Sequence, residues 1–428
     1  MKLKLKNFAK IHEAELEFNG LTVIAGNNNT GKSTIGKVLF SLFDALQHVD
    51  ARIEEERNRL LQRTMEEGVR ELLSEKDSDR KVMLMLMASA DFTEYIKHGG
   101  NPLTWDMQNV FTLLQKYNIH LSKEEYNGFE RNMQQKMQEV LAVNHISYKK
   151  SVLQQSFATV FHSQINSLLY PDSQAEVKLW LKGKPIALTF LQNDCIDVKQ
   201  EIDVMSNITY IDNPFVIDQI VLGLDSKMVR LYDKASKTAM DRKLLRSISQ
   251  SSSQIFQSII AKEKLNTVLN RMKDVIAGQT TVQGEQLSLK EEVLSKPIKI
   301  ENLSTGLKAF MVLKLLLENN ALKEKDLLVL DEPEVHLHPE WQILYAEIIV
   351  LLQKTFHLTV LLTTHSPYFL HAVEVYSKKY GIEDQCKYYL AENQNHEAYF
   401  RDVTGETDTV YQIMLKPFED LQKLLYED

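Results

Sequence analysis

Cysteine is nearly absent from this 428-residue chain: only Cys195 and Cys386 occur, far apart in sequence. Neither a disulfide framework nor a cysteine-based zinc site is therefore suggested, and a reducing cytoplasm fits best. No stretch approaches the roughly 18–20 uncharged apolar residues of a membrane span, and the N-terminus alternates Lys and Leu instead of forming a signal peptide's apolar run. The expectation is a soluble protein with no membrane contact. Excess positive charge is lacking too: a net charge of −8 gives no overall attraction to nucleic acid, so any such contact must come from a local patch. Fixed-period repeats and low-complexity tracts are missing. What is there is a globular composition, 44% apolar, in a chain longer than one ordinary core, so two or more structural units are expected.

The most informative stretch is residues 20–36. Leu21 to Ala25 read as a buried strand that runs into a glycine-framed turn and then a helix, whose apolar face is given by Ile35, Val38, Leu39 and Leu42. Gly26 and Gly31 stand five apart and are followed by Lys32 and Ser33, the GxxxxGK[ST] pattern of a P-loop. Glycines there let the backbone of Gly26, Asn27, Asn28, Asn29, Thr30 and Gly31 wrap a polyphosphate with N–H groups inward, and the helix N-terminus adds its dipole. Lys32 is expected to reach the β- and γ-phosphates and Ser33 a Mg²⁺ ion.

Before that stretch, residues 2–8 and 12–18 alternate apolar and polar as half-buried strands do. From Ile35 to about Tyr170 helical periodicity dominates, broken at Gly99-Gly100-Asn101-Pro102. A methionine-rich run, Met83 to Met87, reads as helical core or as an adaptable partner surface. Strands resume as a hairpin, 175–181 and 185–190, and again at Ile208–Ile211 before Asp212-Asn213-Pro214. Helices are expected from there to about Ala277. Within them, residues 226–249 carry Lys227, Arg230, Lys234, Lys237, Arg242, Lys243 and Arg246 against Asp233 and Asp241. Such a run could contact phosphates, although a solvated helix face is its commoner meaning.

The C-terminal third supplies further polar groups at strand ends. Leu327 to Leu330 is an all-apolar strand of the parallel-sheet kind, ending in Asp331-Glu332-Pro333. Adjacent carboxylates at a strand's C-terminal end, where α/β sheets place ligands, need a cation or a reaction to justify them. Asp331 is expected to hold Mg²⁺ and Glu332 to act as the general base toward water. After the next buried strand, 358–363, His365 falls at the same sheet edge and can reach a γ-phosphate. Upstream, Ser304 of Asn-Leu-Ser-Thr-Gly-Leu-Lys sits where a helix N-cap belongs.

Together these motifs resemble an ABC-type ATPase: Gly26–Thr34 as Walker A, Leu303–Gly306 as signature, Leu327–Glu332 as Walker B and His365 as switch histidine. More specifically, Asp-Glu-Pro-Glu-Val-His-Leu-His-Pro at 331–339 and Thr-His-Ser-Pro at 364–367 resemble the AAA ATPases of the overcoming-lysogenization-defect group, relatives of RecF and the structural-maintenance-of-chromosomes ATPases. The resemblance implies ATP and Mg²⁺ as ligands, with Thr34 completing the ATP-binding loop. It also implies a homodimer in which Ser304 and Gly306 close on the ATP held by a second subunit. It places His336 and His338 in the loop after Walker B rather than in a metal site. The Q-loop is left open between Gln192, Gln200 and the stretch around Asn213.

The expected architecture is an α/β ATPase head with a mixed sheet and large helical insertions: 1–48 an N-terminal lobe, 49–170 a helical insertion, 171–215 further strands, 216–280 a second helical segment, and 281–428 the C-terminal lobe. The 63 residues after His365 read as two short strands and a closing helix, leaving no room for the Toprim nuclease of that group. The resemblance therefore implies a stand-alone ATPase that acts as sensor or scaffold of a prokaryotic antiphage system and controls a separately encoded nuclease or toxin. Alternatives are a RecF-like DNA-repair ATPase using the 226–249 run, and a transporter ATPase, which Ser-Thr-Gly-Leu-Lys in place of Ser-Gly-Gly-Gln disfavours. Assembly beyond a dimer stays open.

Overall fold

A computed structural model of the chain describes residues 1–72, 78–116, 122–220, 238–249, 265–283 and 286–425. They form two compact units, Met1–Gln47 with Val152–Asp428, and His48–Ser151.

The first unit is built on an 11-stranded mixed sheet. Its strands are β1 (Lys2–Phe8), β2 (Ile11–Glu17), β3 (Leu21–Gly26), β4 (Ala175–Leu181), β5 (Lys184–Leu191), β6 (Asp194–Gln200), β7 (Ile208–Ile211), β11 (Leu327–Asp331), β12 (Thr359–Thr364), β13 (Cys386–Gln394) and β14 (Glu397–Asp402). Their spatial order is β6-β5-β4-β1-β2-β14-β13-β3-β12-β11-β7. One end is an antiparallel meander, and β1 and β2 bury alternate residues as period-two strands do. At the other end β13, β3, β12, β11 and β7 run parallel, and β3, β7 and β11 are buried along their whole length. Such strands bury both faces, which is why they read as unbroken apolar runs.

Helices cover this parallel half. Lys32–Leu46 follows β3 directly, Thr305–Glu318 and Pro339–Phe356 flank β11, and Pro367–Lys379 follows β12. Four strands stand outside the sequence expectations. β6 is one: a register shift at Thr189 and Phe190 interrupts the alternation that would reveal it. The others are β8 (Gln279–Gln283), β9 (Gln286–Lys290) and β10 (Ile298–Lys299), which make a small antiparallel sheet. Only Leu287 and Leu289 in β9 alternate, too short a signal to detect.

The second unit, His48–Ser151, is helical, with a core that includes Leu61, Met65, Phe92, Trp105, Met133 and Met137. It is drawn more tightly than the expected 49–170 insertion. Residues 152–170 belong to the sheet unit because Leu153, Phe157 and Ile165 are fully buried, with Phe157 against Phe8 and Phe190. The break at Gly99–Pro102 ends the helix Ser78–Lys97, and the Asn101 side chain accepts from Leu103 N–H at 3.0 Å. Of Met83 to Met87, only the Met87 side chain falls within the described residues, where it is half-buried.

Candidate active site

The glycine-framed turn leaves β3 with Gly26 at φ 151° and enters the Lys32–Leu46 helix through Gly31 at φ 80°, both in the range that favours glycine. Gly26 has a second reason to be glycine: a Cβ there would lie 2.3 Å from the Ala391 carbonyl oxygen of β13. Between them Asn27, Asn28 and Asn29 are exposed, while the Thr30 hydroxyl donates to Asn27 O at 2.8 Å and closes the turn. Thr34 lies in the first turn of that helix and donates its N–H to Gly31 O at 3.1 Å. Lys32 is 4% exposed, with Nζ donating to Gly26 O (2.9 Å) and Asn27 O (2.8 Å) and lying 3.4 Å from Glu332 Oε1.

Asp331 and Glu332 arrive from β11. The parallel register sets Asp331 opposite Thr363 of β12, and the Thr363 hydroxyl donates to Asp331 Oδ1 at 2.5 Å. Ser33 Oγ donates to the same oxygen at 3.0 Å, and the Tyr210 hydroxyl of β7 to Oδ2 at 2.7 Å. Three donors from three elements thus fix one carboxylate. Burial, with Asp331 beside it, pushes the Tyr210 phenol well above its ordinary value, so it remains a donor. Glu332 adopts φ 49°, a costly conformation for a non-glycine, and its N–H is held by Thr363 Oγ1 (3.0 Å) and O (3.2 Å). His365 Nδ1 stands 3.5 Å from Glu332 Oε2. A cleft of about 270 Å³ opens beside these groups, lined among others by Ser33, Asp212, Asn213, Asp331 and Glu332.

Residues 1–370 match the family model described as AAA ATPase domain. The chain belongs to this AAA ATPase family. It is an ATP-binding P-loop ATPase of the α/β class built on a mixed sheet, as its motifs led one to expect. A protein described as "Retron Vc95 probable ATPase" from Vibrio cholerae serotype O1 biovar El Tor is 25% identical over 394 residues, spanning 86% of this chain and 70% of that protein. Among solved structures, the "SMC head domain from Thermotoga maritima" is 12% identical at TM-score 0.36, covering 94% of this chain and 98% of that one. An SMC head bound to the C-winged helix domain of ScpA is also 12% identical, at TM-score 0.45, covering 95% and 98%.

Other expected residues of the ATPase are placed as follows. Ser304 is exposed and caps the Thr305–Glu318 helix, accepting from Leu307 N–H at 3.4 Å. Gly306 is buried at a close approach, since a Cβ there would meet the Trp341 ring at 2.8 Å. Among the described residues, no hydrogen bond or ion pair joins either of them to residues 26–34. Asn213 lines the cleft, whereas Gln192 and Gln200 lie on or beside β6 at the far edge of the sheet. His336 packs edge-on against Phe215, and His338 precedes the Pro339–Phe356 helix. No group of three or more His, Cys, Asp or Glu among the described residues is placed to hold a metal.

In the basic run, Lys227, Arg230, Lys234 and Lys237 lie outside the described residues. Lys243, on the helix Ala239–Ser249, is bound to Asp44 at 2.9 Å. No helix among the described residues is long and apolar enough to cross a membrane.

Sequence reasoning missed Tyr210, Thr363 and Glu334. The first two touch Asp331 only through sheet register. The third had a visible signal, a carboxylate in the conspicuous Asp-Glu-Pro-Glu string. Burial raises the Glu334 carboxyl above the usual glutamate value, opposed by the Thr364 hydroxyl and the His365 N–H that bond it. Asp212 lines the cleft and is exposed as a residue, although protein around its carboxyl partly desolvates it. That desolvation, together with Asp241 and Asp331 nearby, raises it to about 6.

Proposed function

We propose that this ATPase is the sensor or scaffold subunit of a prokaryotic antiphage defence system, working as a homodimer with two composite ATP sites and controlling a separately encoded nuclease or toxin. The observation that carries its catalytic half is the convergence of Lys32, Ser33, Asp331, Glu332 and His365 at the C-terminal ends of adjacent parallel strands. The similarity to a retron ATPase supports its cellular half.

In this reading the backbone N–H groups of residues 26–34 cradle the triphosphate, and Lys32 exchanges the Gly26 and Asn27 carbonyls for phosphate oxygens. Ser33 Oγ and Asp331 Oδ1 fit a hard cation. The two oxygens lie 3.0 Å apart, near enough that together they could hold one cation. Mg²⁺ bound there would neutralise charge between the β- and γ-phosphates. Glu332 takes the proton of the attacking water, and His365, beside its carboxylate, meets the γ-phosphate. Ser304 and Gly306 complete the site of the second subunit, and hydrolysis loosens the pair.

Glu332→Gln is expected to lower turnover about 100- to 10,000-fold, the range for losing a general base, with ATP binding intact. An unchanged rate refutes the catalytic assignment. The same variant, tagged and recovered from its host, is expected to bring down a stoichiometric protein encoded by a neighbouring gene. Recovery of DNA alone, lost on replacing Arg242, Lys243 and Arg246, would point instead to repair.

A further inference from the structure

One carboxylate beside this site has no role in the reading above. Glu334 is 2% exposed although the next residues, Val335 and His336, face solvent. Its Oε1 accepts from the Thr364 hydroxyl at 2.5 Å and from the His365 N–H at 2.9 Å, while Oε2 is buried without a partner. Withdrawing a carboxylate from water with acceptor sites unfilled is unfavourable. A glutamine would receive the same two donors and give up less hydration, so holding the two donors does not by itself require a charge.

The geometry shows what a charge can act on. His365 Nδ1 lies 3.7 Å from Glu334 Oε1 and 3.5 Å from Glu332 Oε2, between the two carboxylates. The turn carrying His365 is gripped a second time on its far side: Ser366 Oγ donates to Gln342 Oε1 at 2.8 Å, and Gln342 Nε2 donates to Leu337 O at 3.1 Å. Side chains from 334 and 342 therefore hold residues 364–366 on both sides of the histidine.

We propose that Glu334 is a positioning residue of the hydrolytic site, whose buried carboxylate locks the Thr364–Ser366 turn and orients the His365 ring so that Nδ1 is directed to Glu332. The proposal rests on the reading of Glu332 and His365 as catalytic. Glu334 exchanges no proton with substrate in it and acts wholly through the histidine.

The test compares the full-length parent, Glu334→Gln, His365→Ala and the double variant in steady-state ATP hydrolysis and in nucleotide binding. Glu334→Gln is expected to bind ATP within about twofold of the parent and to lose about tenfold in kcat, as supporting partners of active-site groups do. The double variant is expected to be no slower than His365→Ala alone, because the lost interaction is shared. Parental kcat in Glu334→Gln, or losses that multiply in the double variant, overturns the proposal. Parental kcat in His365→Ala removes the catalytic reading of the histidine and the proposal with it. A fall in His365→Ala with none in Glu334→Gln removes the proposal alone. Should Glu334→Gln not fold, Thr364→Val deletes one of the two donors at nearly constant shape. It is then expected to cost several-fold in the parent and nothing further in His365→Ala.

Discussion

Replacing Tyr210 with Phe removes one oxygen from the interior of the protein and nothing else. The ring would keep its edge-on contact with Phe40, centroids 6.1 Å apart, and its place near Gly36, where an added Cβ would come within 3.0 Å of it. The loss is the 2.7 Å hydrogen bond to Asp331 Oδ2, whose companion oxygen takes the bonds from Ser33 and Thr363. A hydrogen bond to a carboxylate contributes about 1.5–3 kcal/mol, and in Tyr210→Phe the buried acceptor loses its donor without replacement. Urea unfolding should therefore show a lower midpoint at unchanged slope, equivalent to about 1.5–3 kcal/mol. Context supplies the control. In an Asp331→Leu background the acceptor is gone, and the same substitution should cost less than about 0.5 kcal/mol. A loss below about 0.5 kcal/mol in the parent, or equal losses in both backgrounds, would refute the idea that Tyr210 is there to hold Asp331.

Gly26→Ala combines a disfavoured φ of 151° with a Cβ 2.3 Å from Ala391 O, a backbone atom that cannot rotate away. It should destabilise the protein by at least about 2 kcal/mol, and an unchanged melting temperature would refute this. Asp212, raised from 3.8 to about 6, binds its proton more tightly in the folded chain. Stability should thus decline as pH rises from about 4 to 6, and Asp212→Asn should remove that slope, making the variant the more stable at pH 7 but not at pH 4. Because the residue is exposed, the gain should stay within about 1 kcal/mol, and parallel pH profiles for both proteins would falsify the assignment.

The features legible in the sequence were local ones. The step from Leu21–Ala25 to Gly26 and Lys32 is visible because a buried strand, a glycine turn and an amphipathic helix follow one another within some two dozen residues, and the Leu327–Asp331 strand is visible because both its faces are covered. Contacts set by pairing between distant segments were hidden. Cys386 pairs with Leu21 across most of the chain, and that places Ala391 against Gly26. Thr363 looks like the last residue of an apolar strand until the register sets it opposite Asp331. Tyr210 similarly reads as one more large residue of a buried strand, and only the neighbouring position of β7 and β11 turns its hydroxyl into an anchor.

The exposed Ser304 permits a decision on whether the signature serves its own P-loop or a partner's. As a helix N-cap it contributes only about 1 kcal/mol of local stability, so Ser304→Arg should leave a folded chain whose hydrolysis is lost by obstruction. Glu332→Gln is inactive for a different reason in this reading. In a two-fold dimer with composite sites, a mixed pair of these two chains holds one site built from an intact Glu332 and an intact Ser304, and one site in which both are altered. Random pairing puts about half of all dimers in the mixed form, each with one working site of two, so mixing the inactive proteins should restore about a quarter of the parental rate. If each chain used its own Ser304, every site in every dimer would carry one lesion, and mixing would restore nothing. Activity that stays at the sum of the separate variants after subunit exchange would therefore rule out the composite site and leave an ATPase that works as a single head.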